Sequence, residues 1–297
     1  MRCPRAALAL AAVATVLGGC NSQGTPEGAD LFAGLVLVPT PGAEEDAFFL
    51  EATEVTNAQF AQFLAAQRYA VDDTEFLRHW REGAVTPDAE RPISIDRKPQ
   101  SGTESYPVVY VSFEDARAFA QWSGMRLPRS REWDLAAAYG AETDYPWGLW
   151  QSGRANTLEL GLGHTTPVGF FQNGASPLGL YDLQGNVAEW CETEDTPVVK
   201  GGSFRYYGSG VRTVEQDRKP AAASRHDDIG FRRAADALPL LAKRCLASGV
   251  AEASRAASLR TLARRGGLAA RAVLLRFAQL YPEAHMMVED AIRAAGR

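Results

Sequence analysis

The chain has 297 residues, 31 lysines and arginines against 36 aspartates and glutamates, and a net charge of −5 at pH 7. This length suits one large domain with a small one, and the acidic balance, without any nucleic-acid motif, argues against DNA or RNA as a partner. The charge is uneven: residues 21–236 hold 19 basic and 32 acidic residues, and residues 237–297 hold 10 basic and 4 acidic. Three explanations stay open, namely chance surface composition, docking of the two parts on each other, or an anionic partner for the basic part.

The first twenty residues predict export. Two arginines precede the apolar residues 6–17, a run too short to cross a bilayer, so residues 1–19 are predicted to be a signal peptide. The end of this run, Leu17-Gly-Gly-Cys20, resembles a bacterial lipobox. By that resemblance Cys20 carries a lipid, and an ordinary signal with a chance cysteine is the alternative.

A short polar segment then follows. Residues 20–31 combine the lipidated cysteine with polar residues, Gly and Pro, and predict a flexible tether. Asn21 in place of aspartate resembles Gram-negative lipoproteins that are sent to the outer membrane. The predicted location is therefore the outer membrane of a Gram-negative bacterium, with the membrane as a partner through Cys20.

Short strands and capped helices alternate over residues 32–235, which we predict to be the main domain. Residues 34–40 and 108–111 are apolar runs that predict strands, and the polar residues 82–105 predict a long loop. Two pairs have the spacing of helix-capping boxes: Thr56 with Gln59, and Ser112 with Asp115. The pattern is compatible with an α+β fold and does not by itself name a topology.

The stretch Ser176–Trp190 concentrates turn-forming and core-forming residues. Asp182 and Glu189 are carboxylates seven residues apart, with Gly185 between them. A turn that tight can direct backbone carbonyls between two carboxylates, an arrangement that suits a hard cation such as calcium. The alternative is a turn between two strands with two solvated acids.

This stretch also carries a resemblance. Gly179-Leu-Tyr-Asp-Leu-Gln-Gly-Asn-Val-Ala-Glu-Trp190 resembles the signature of the formylglycine-generating enzyme, or sulfatase-modifying factor, family. Further motifs of that family occur in order along the chain: Glu54–Asn57, Tyr106–Gly124, Arg126–Ala138, Tyr145–Gly148, Lys200–Phe204 and Ile229–Arg233. The resemblance implies a C-type-lectin-like α+β fold with two main helices on short mixed sheets.

The resemblance also implies a metal. Family members hold calcium at the signature, so here side chains of Asp182 and Glu189 and backbone carbonyls of Gly185 and Val187 would be the ligands. Calcium would act as a structural staple. A second family calcium site would begin at Asn156, but the segment after it is short, so that site is expected to be lost or reduced.

The resemblance does not extend to the catalytic cysteines. Family enzymes oxidise a sulfatase cysteine to formylglycine with two copper-binding cysteines, and soft thiolates suit Cu(I). The corresponding residues 204–229 contain no cysteine, and the pair would fall near Gly208 and Thr213. Copper and the formylglycine activity are therefore not expected. We predict a non-catalytic binding or scaffold protein, with no catalytic residues.

A ligand groove is predicted next to the former cysteine positions. Tyrosine and arginine are frequent interface anchors, and four such residues stand close together: Arg205, Tyr206, Tyr207 and Arg212. Ordinary core and surface roles are the alternative for each of them. The partner, a protein or a peptide, is not named by the sequence.

One alternative function is an oxidoreductase with a rebuilt metal site. Ergothioneine-type relatives place histidines around iron, and the one tight cluster here is His226, Asp227 and Asp228. No local histidine spacing supports it, and an exposed turn is the alternative for His226.

The residues after the main domain change in character. Residues 236–297 are rich in alanine, leucine and arginine and predict four short helices, which form a small bundle or a HEAT-like pair and pack on the main domain. Cys191 and Cys245 either form a disulfide between the two parts or stay as buried thiols.

Overall fold

A computed structural model describes residues 30, 32–40, 42–67, 69, 75–80, 99, 101–139, 144–212, 217–265 and 267–295. The predicted signal peptide, Cys20 and most of the predicted 82–105 loop lie outside these residues. The described residues form six strands and seven helices. The strands are β1 (Leu35–Val38), β2 (Phe48–Glu51), β3 (Ala188–Cys191), β4 (Val198–Lys200), β5 (Ile229–Gly230) and β6 (Ala234–Asp236). The helices are α1 (Asn57–Gln67), α2 (Phe113–Trp122), α3 (Ser130–Ala137), α4 (Ala237–Cys245), α5 (Glu252–Arg265), α6 (Gly267–Leu280) and α7 (His285–Ala295).

Two small sheets organise the body, by which we mean the residues that precede α4. The first sheet is antiparallel, in the order β1-β2-β6, and pairs Leu35 with Glu51 and Phe48 with Asp236. The second has the order β4-β3-β5, with β3 antiparallel to β4 and parallel to β5. Helices and short mixed sheets together confirm the predicted α+β class.

Helix starts follow the predicted capping boxes. At α1 the Thr56 amide donates to the Gln59 side chain at 2.8 Å, and at α2 the Ser112 amide donates to the Asp115 carboxylate at 2.8 Å. These contacts satisfy amide groups that a helix end leaves unpaired. The capping predictions are therefore confirmed.

The predicted strand over residues 108–111 is wrong. Tyr110 has a φ of 56°, in the left-handed region that a strand does not use. Its amide donates to the carbonyl of His226, and the Val108 amide donates to the carbonyl of Val55. Residues 108–111 are thus held by single hydrogen bonds to separate segments and not by the repeated hydrogen bonds of a β-sheet.

Both faces of the first sheet are covered. Phe48 and Leu50 face α3, whereas Phe49 faces the other side and packs among residues of α4 to α7. Since both faces are buried, β2 needs apolar residues at consecutive positions and not in alternation. The four C-terminal helices, called the helical unit below, therefore share one hydrophobic core with the sheet.

Ion pairs lie near the junction of the body and the helical unit, and one of them joins the two. Asp236 precedes α4, and its carboxylate pairs with Arg126 and Arg129 and makes no cap to the helix. Arg276 of α6 pairs with Glu45 at 2.8 Å. The prediction that these helices pack on the main domain agrees with this arrangement. No helix within the described ranges is long and apolar enough to cross a membrane.

Candidate functional site

The signature stretch forms a strained turn that leads into β3. Asp182, Gly185 and Asn186 all have φ between 56° and 82°. At Gly185 a Cβ would lie 2.3 Å from the carbonyl oxygen of Asn156, so no other residue fits without a shift of backbone. The turn sends the side chains of Asp182 and Glu189 into the interior, where both are buried.

A buried acid cluster results, consisting of Glu54, Asp182 and Glu189 around Arg232. The guanidinium of Arg232 donates from Nε and Nη2 to the two carboxylate oxygens of Glu189, each at 2.6 Å. Trp133 Nε1 donates to the same carboxylate at 2.9 Å. Both partners of the ion pair have no exposed surface, so each depends on the other for its charge to be tolerated.

Arg232 links the cluster to the backbone as well. Its Nη1 donates to the carbonyl of Glu51 at 2.9 Å, and its Nη2 donates to the carbonyl of Tyr181 at 2.8 Å. Burial opposes its charge, but the nearby carboxylates, Glu189 first among them, raise the pKa of Arg232 above its usual value. The guanidinium stays charged and fixes the turn against β2.

Glu54 is the acid of the cluster that we expect to hold a proton. Asn186 Nδ2 donates to its Oε1 at 2.9 Å, whereas its Oε2 is buried without a hydrogen-bond partner among the described residues. Burial, and then the charge of Asp182, raise the pKa of Glu54 well above its usual value. Burial also raises the pKa of Asp182, partly offset by the hydrogen bond from the Gly169 amide. Three acids around one guanidinium thus favour a protonated Glu54.

Of the predicted calcium ligands, the carboxylates of Asp182 and Glu189 lie in this cluster, beside the guanidinium of Arg232. Glu189 already binds Arg232 and Trp133, and a calcium ion beside it would place two cations together in a buried site. Of the predicted ligands Asp182, Gly185, Val187 and Glu189, both carboxylates thus already accept hydrogen bonds from protein groups. Calcium binding at the signature therefore stays a prediction.

The region that corresponds to the family's cysteine pair is filled. A Cβ at Gly208 would lie 2.3 Å from the ring of Trp150. The Gly208 amide donates to Glu159 at 2.6 Å, and its carbonyl accepts from Tyr145 Oη at 2.8 Å. An indole ring and two polar contacts therefore enclose this position. Thr213 lies outside the described residues.

Two adjoining pockets form a groove at this surface, and they share Arg212. The first has a volume of about 400 Å³ and is lined by Asp144, Tyr145, Gly148, Leu149, Trp150 and Arg212. The second has a volume of about 250 Å³, and its charged and aromatic lining residues are Trp133, Lys200, Tyr206, Arg212, Asp217 and Arg218. The groove therefore combines exposed apolar surface with charged groups of both signs.

The four predicted groove residues do not all face this groove. Tyr206 and Arg212 line it, and the guanidinium of Arg218 stacks on Tyr206 at 4.6 Å while donating to its hydroxyl at 2.6 Å. Arg205 instead pairs with Asp227. Tyr207 lines neither pocket and is 60% exposed. The structure thus assigns Tyr206 and Arg212 to the groove lining.

The predicted alternative metal cluster is dispersed. His226 contacts the hydroxyl of Ser224 at 3.0 Å, Asp227 pairs with Arg205, and Asp228 accepts a hydrogen bond from Ser203 at 2.8 Å. Within the described part of the chain, no three His, Cys, Asp or Glu side chains are grouped so as to hold a metal ion. These three residues are therefore engaged in separate contacts.

The two cysteines of the described chain are free thiols. Cys191 lies in the core beneath α3, and Cys245 lies in the core shared with the helical unit. Burial raises the pKa of both thiols, and that of Cys245 reaches about 12. A disulfide between them is not formed, and neither thiol has the lowered pKa of a metal-binding or reactive cysteine.

Three residues that shape this site were not predicted from the sequence, namely Arg232, Glu54 and Trp150. Arg232 stood in a recognised motif, but its partner Glu189 is 43 residues away and no local pattern joins them. Glu54 also stood in a motif, without a sign that it would be buried. Trp150, which fills the former cysteine position, had no signal beyond its place after Tyr145-Pro-Trp-Gly148.

The chain matches one protein family, several proteins of known name and several solved structures. The family described as "Sulfatase-modifying factor enzyme 1-like domain" matches residues 3–237. A formylglycine-generating enzyme of Thermomonospora curvata is 32% identical over 258 residues, which cover 64% of this chain and 82% of that protein. An inactive C-alpha-formylglycine-generating enzyme 2 of Bos taurus is 30% identical over 236 residues, which cover 64% of this chain and 77% of that protein. The solved structure of PvdO from Pseudomonas aeruginosa has a TM-score of 0.50 at 22% identity, covers 68% of this chain and 91% of its own, and shows similarity of fold alone.

Proposed function

This chain belongs to the sulfatase-modifying factor family, and from that membership we propose that it is a lipid-anchored envelope protein that uses the family's fold for binding and not for catalysis. The observation that carries the proposal is the filled position at Gly208. Residues 204–229 contain no cysteine, and the Trp150 ring leaves no room there for any side chain.

The chemistry of the family's enzymes explains why this matters. By resemblance, those enzymes need two thiolates that hold copper, since oxidation of a cysteine by oxygen requires a redox metal or an equivalent cofactor. Here Cys191 and Cys245 are buried in separate cores, and burial favours their neutral thiol forms. The residues present do not fit a copper site.

Overall similarity does not separate the two functions. The chain is 32% identical to a protein named as an enzyme and 30% identical to one named as inactive, so sequence identity leaves the activity open. The residues of the groove distinguish an active enzyme from an inactive family member, because catalysis depends on a few positioned groups and not on the fold.

The groove supports binding of a protein or a peptide. Leu149 lines the groove and is exposed, and so is Tyr207, which follows the lining residue Tyr206. Arg212, which both pockets share, pairs with Asp144 at 3.5 Å. An exposed aromatic ring beside paired charges is a common composition for protein interfaces. The alternative oxidoreductase function has no comparable support, since His226, Asp227 and Asp228 contact different partners.

The catalytic part of the proposal is tested by peptide oxidation. The chain from Asn21 to Arg297 is incubated with copper, oxygen and a cysteine-containing sulfatase peptide, and the product is analysed by mass spectrometry. We expect no formylglycine, while the Thermomonospora curvata enzyme converts the peptide in a parallel reaction. Conversion by this chain above the protein-free rate would contradict the proposal.

The anchor is tested by metabolic labelling of the full chain with radioactive palmitate in a Gram-negative host. Label is expected on the parent and on Cys3→Ala, because Cys3 lies inside the predicted signal peptide, and is expected to be lost in Cys20→Ala. A parent chain that is exported without label would remove the lipid anchor from the proposal and leave the binding role intact.

A further inference from the structure

We propose that the helical unit docks on the anionic surface of a lipid bilayer through one exposed face of α6 and the end of α5. This docking face consists of Leu268 and Leu275 on α6 together with Arg264 and Arg265 in the last turn of α5. The inference rests on the proposed lipid anchor, because the anchor brings the helical unit to a membrane. It adds a second contact, made by the folded protein itself.

The helix α6 has apolar residues on two opposite sides. Its inner side is formed by Ala270, Val273, Leu274 and Phe277, which are buried in the shared core. Its outer side carries Leu268, which is 82% exposed, and Leu275, which is 45% exposed. These two leucines are seven residues apart and therefore lie on the same side of the helix, two turns from each other. A stripe of exposed leucine is not explained by packing within the described chain.

Arginines border this stripe. Arg264 and Arg265 are exposed and end α5 just before α6 begins at Gly267, so they lie beside Leu268. Arg271 and Arg276 flank the stripe on α6, although Arg271 donates to the carbonyl of Ala295 and Arg276 pairs with Glu45. Exposed leucine with arginine at its edges is the composition of surfaces that lie at a membrane interface.

The charge of the whole helical unit fits an anionic surface. Residues 237–297 hold 10 basic and 4 acidic residues within a chain that is acidic overall. None of its four acids belongs to α6 or to the last turn of α5: Glu252 starts α5, and the others are residues 283, 289 and 290. Near an anionic bilayer each arginine strengthens binding about fivefold, so the arrangement selects lipid of negative charge.

The position of Phe32, near the start of the main domain, supports the bilayer as the partner. Phe32 stacks on Phe49 with ring centroids 4.9 Å apart, and the guanidinium of Arg244 in α4 lies 5.6 Å from its ring. Phe32 therefore belongs to the core of the helical unit. The twelve residues from Cys20 to Phe32 can span at most about 40 Å, so a lipid on Cys20 keeps the helical unit close to the bilayer.

The test is sedimentation of the unlipidated chain from Asn21 to Arg297 with vesicles. We expect binding to vesicles of phosphatidylcholine and phosphatidylglycerol in equal proportion, little binding to phosphatidylcholine alone, and weaker binding as salt is added. Arg264→Glu with Arg265→Glu should weaken binding at least about thirtyfold. Leu268→Ser with Leu275→Ser should weaken it at least about tenfold.

Matched substitutions on the body serve as controls. Phe170 is 62% exposed and Arg131 is also exposed, and both belong to the body, so Phe170→Ser and Arg131→Glu should leave vesicle binding unchanged. Unchanged thermal unfolding of every variant excludes misfolding as the cause. The proposal is overturned by absence of binding to anionic vesicles, by equal binding to neutral ones, or by equal losses in the control variants. Palmitate labelling is read separately, so a failed anchor and a failed docking face give different results.

Discussion

The body and the helical unit share one sheet but are stabilised in different ways. The body is built around a fully buried ion pair, Arg232 with Glu189, and two further buried acids. The interior of the helical unit is almost entirely apolar, with Ser254 and Ser258 as its buried polar residues among those described. Buried charges require specific partners, whereas apolar packing tolerates substitutions of similar volume. We therefore expect the stability of the body to depend on charge and pH, and the stability of the helical unit to depend on the volume of its core side chains.

The largest effect is expected from Arg232→Met, which removes the only guanidinium in contact with Glu189 among the described residues. Glu189 then remains buried without its counter-charge, and the free energy of unfolding should fall by about 3–5 kcal/mol. Urea denaturation measures this loss. In the control Arg117→Met, the exposed pair with Glu114 is removed, and the loss should stay below about 1 kcal/mol. Equal losses in the two variants would contradict the central role of Arg232.

Leu274→Ala should be the next largest, at about 3 kcal/mol, because a fully buried leucine leaves a cavity in the helical unit. The loss should be the same at pH 5 and pH 8, since no titratable group is involved. Leu268→Ala on the exposed side of the same helix is the control and should change the free energy of unfolding little. A loss at Leu274 that varies strongly with pH would break the proposed difference between the two regions.

Gly208→Ala tests the packing of the groove. The added methyl group would meet the Trp150 ring at 2.3 Å, and overpacking of this kind typically costs about 1–3 kcal/mol. The double variant Gly208→Ala with Trp150→Phe has room for the methyl group and should recover part of the loss. If Gly208→Ala is as stable as the parent, the groove is looser than described and could accept a side chain at this position.

Glu54→Gln should have the smallest effect and the opposite sign. Burial raises the pKa of Glu54 above its usual 4.5. Between the usual and the raised pKa, the folded state therefore holds a proton that the unfolded state has released, and the free energy of unfolding falls as pH rises. Glutamine keeps the acceptor for Asn186 and cannot titrate. The variant should exceed the parent in stability at pH 8, and its stability should depend less on pH.

Urea denaturation between pH 5 and pH 9 in the presence of EGTA measures this difference. Asp182 still titrates in the variant, so some dependence on pH remains. Glu114→Gln, at an exposed position, should follow the parent at every pH. A variant less stable than the parent at pH 8 would show that Glu54 is ionised in the folded state.

The difference between apolar packing in the helical unit and buried ion pairs in the body also explains which features could be predicted from the sequence. Helices of the helical unit follow from periodicity and from Gly and Pro, and the structure begins α4 immediately after the predicted Asp236. Capping boxes at Thr56 and Ser112 were also predictable, because their contacts lie within four residues. The left-handed Tyr110 was not, since its conformation is set by a distant contact with His226.

The candidate site was less predictable than the fold. The Asp182–Glu189 turn was expected, but no local pattern indicated that Arg232, 43 residues after Glu189, would pair with that carboxylate. Likewise, absence of cysteine from residues 204–229 was visible in the sequence, whereas the packing of Trp150 on Gly208 required the structure. Short sequence motifs predict turns and helix caps, but they do not predict ion pairs between residues that are distant in the sequence.

The Trp150 ring fills the position of Gly208, which by resemblance corresponds to the redox-metal site of the family's enzymes. Elemental analysis of the chain from Asn21 to Arg297, purified without chelators and then exposed to copper and desalted, tests most directly whether this chain holds such a metal. We expect far less than one copper or iron per chain. One copper or iron per chain, retained after desalting, would contradict this expectation and would require a set of ligands that the groove at Gly208 and Trp150 does not offer.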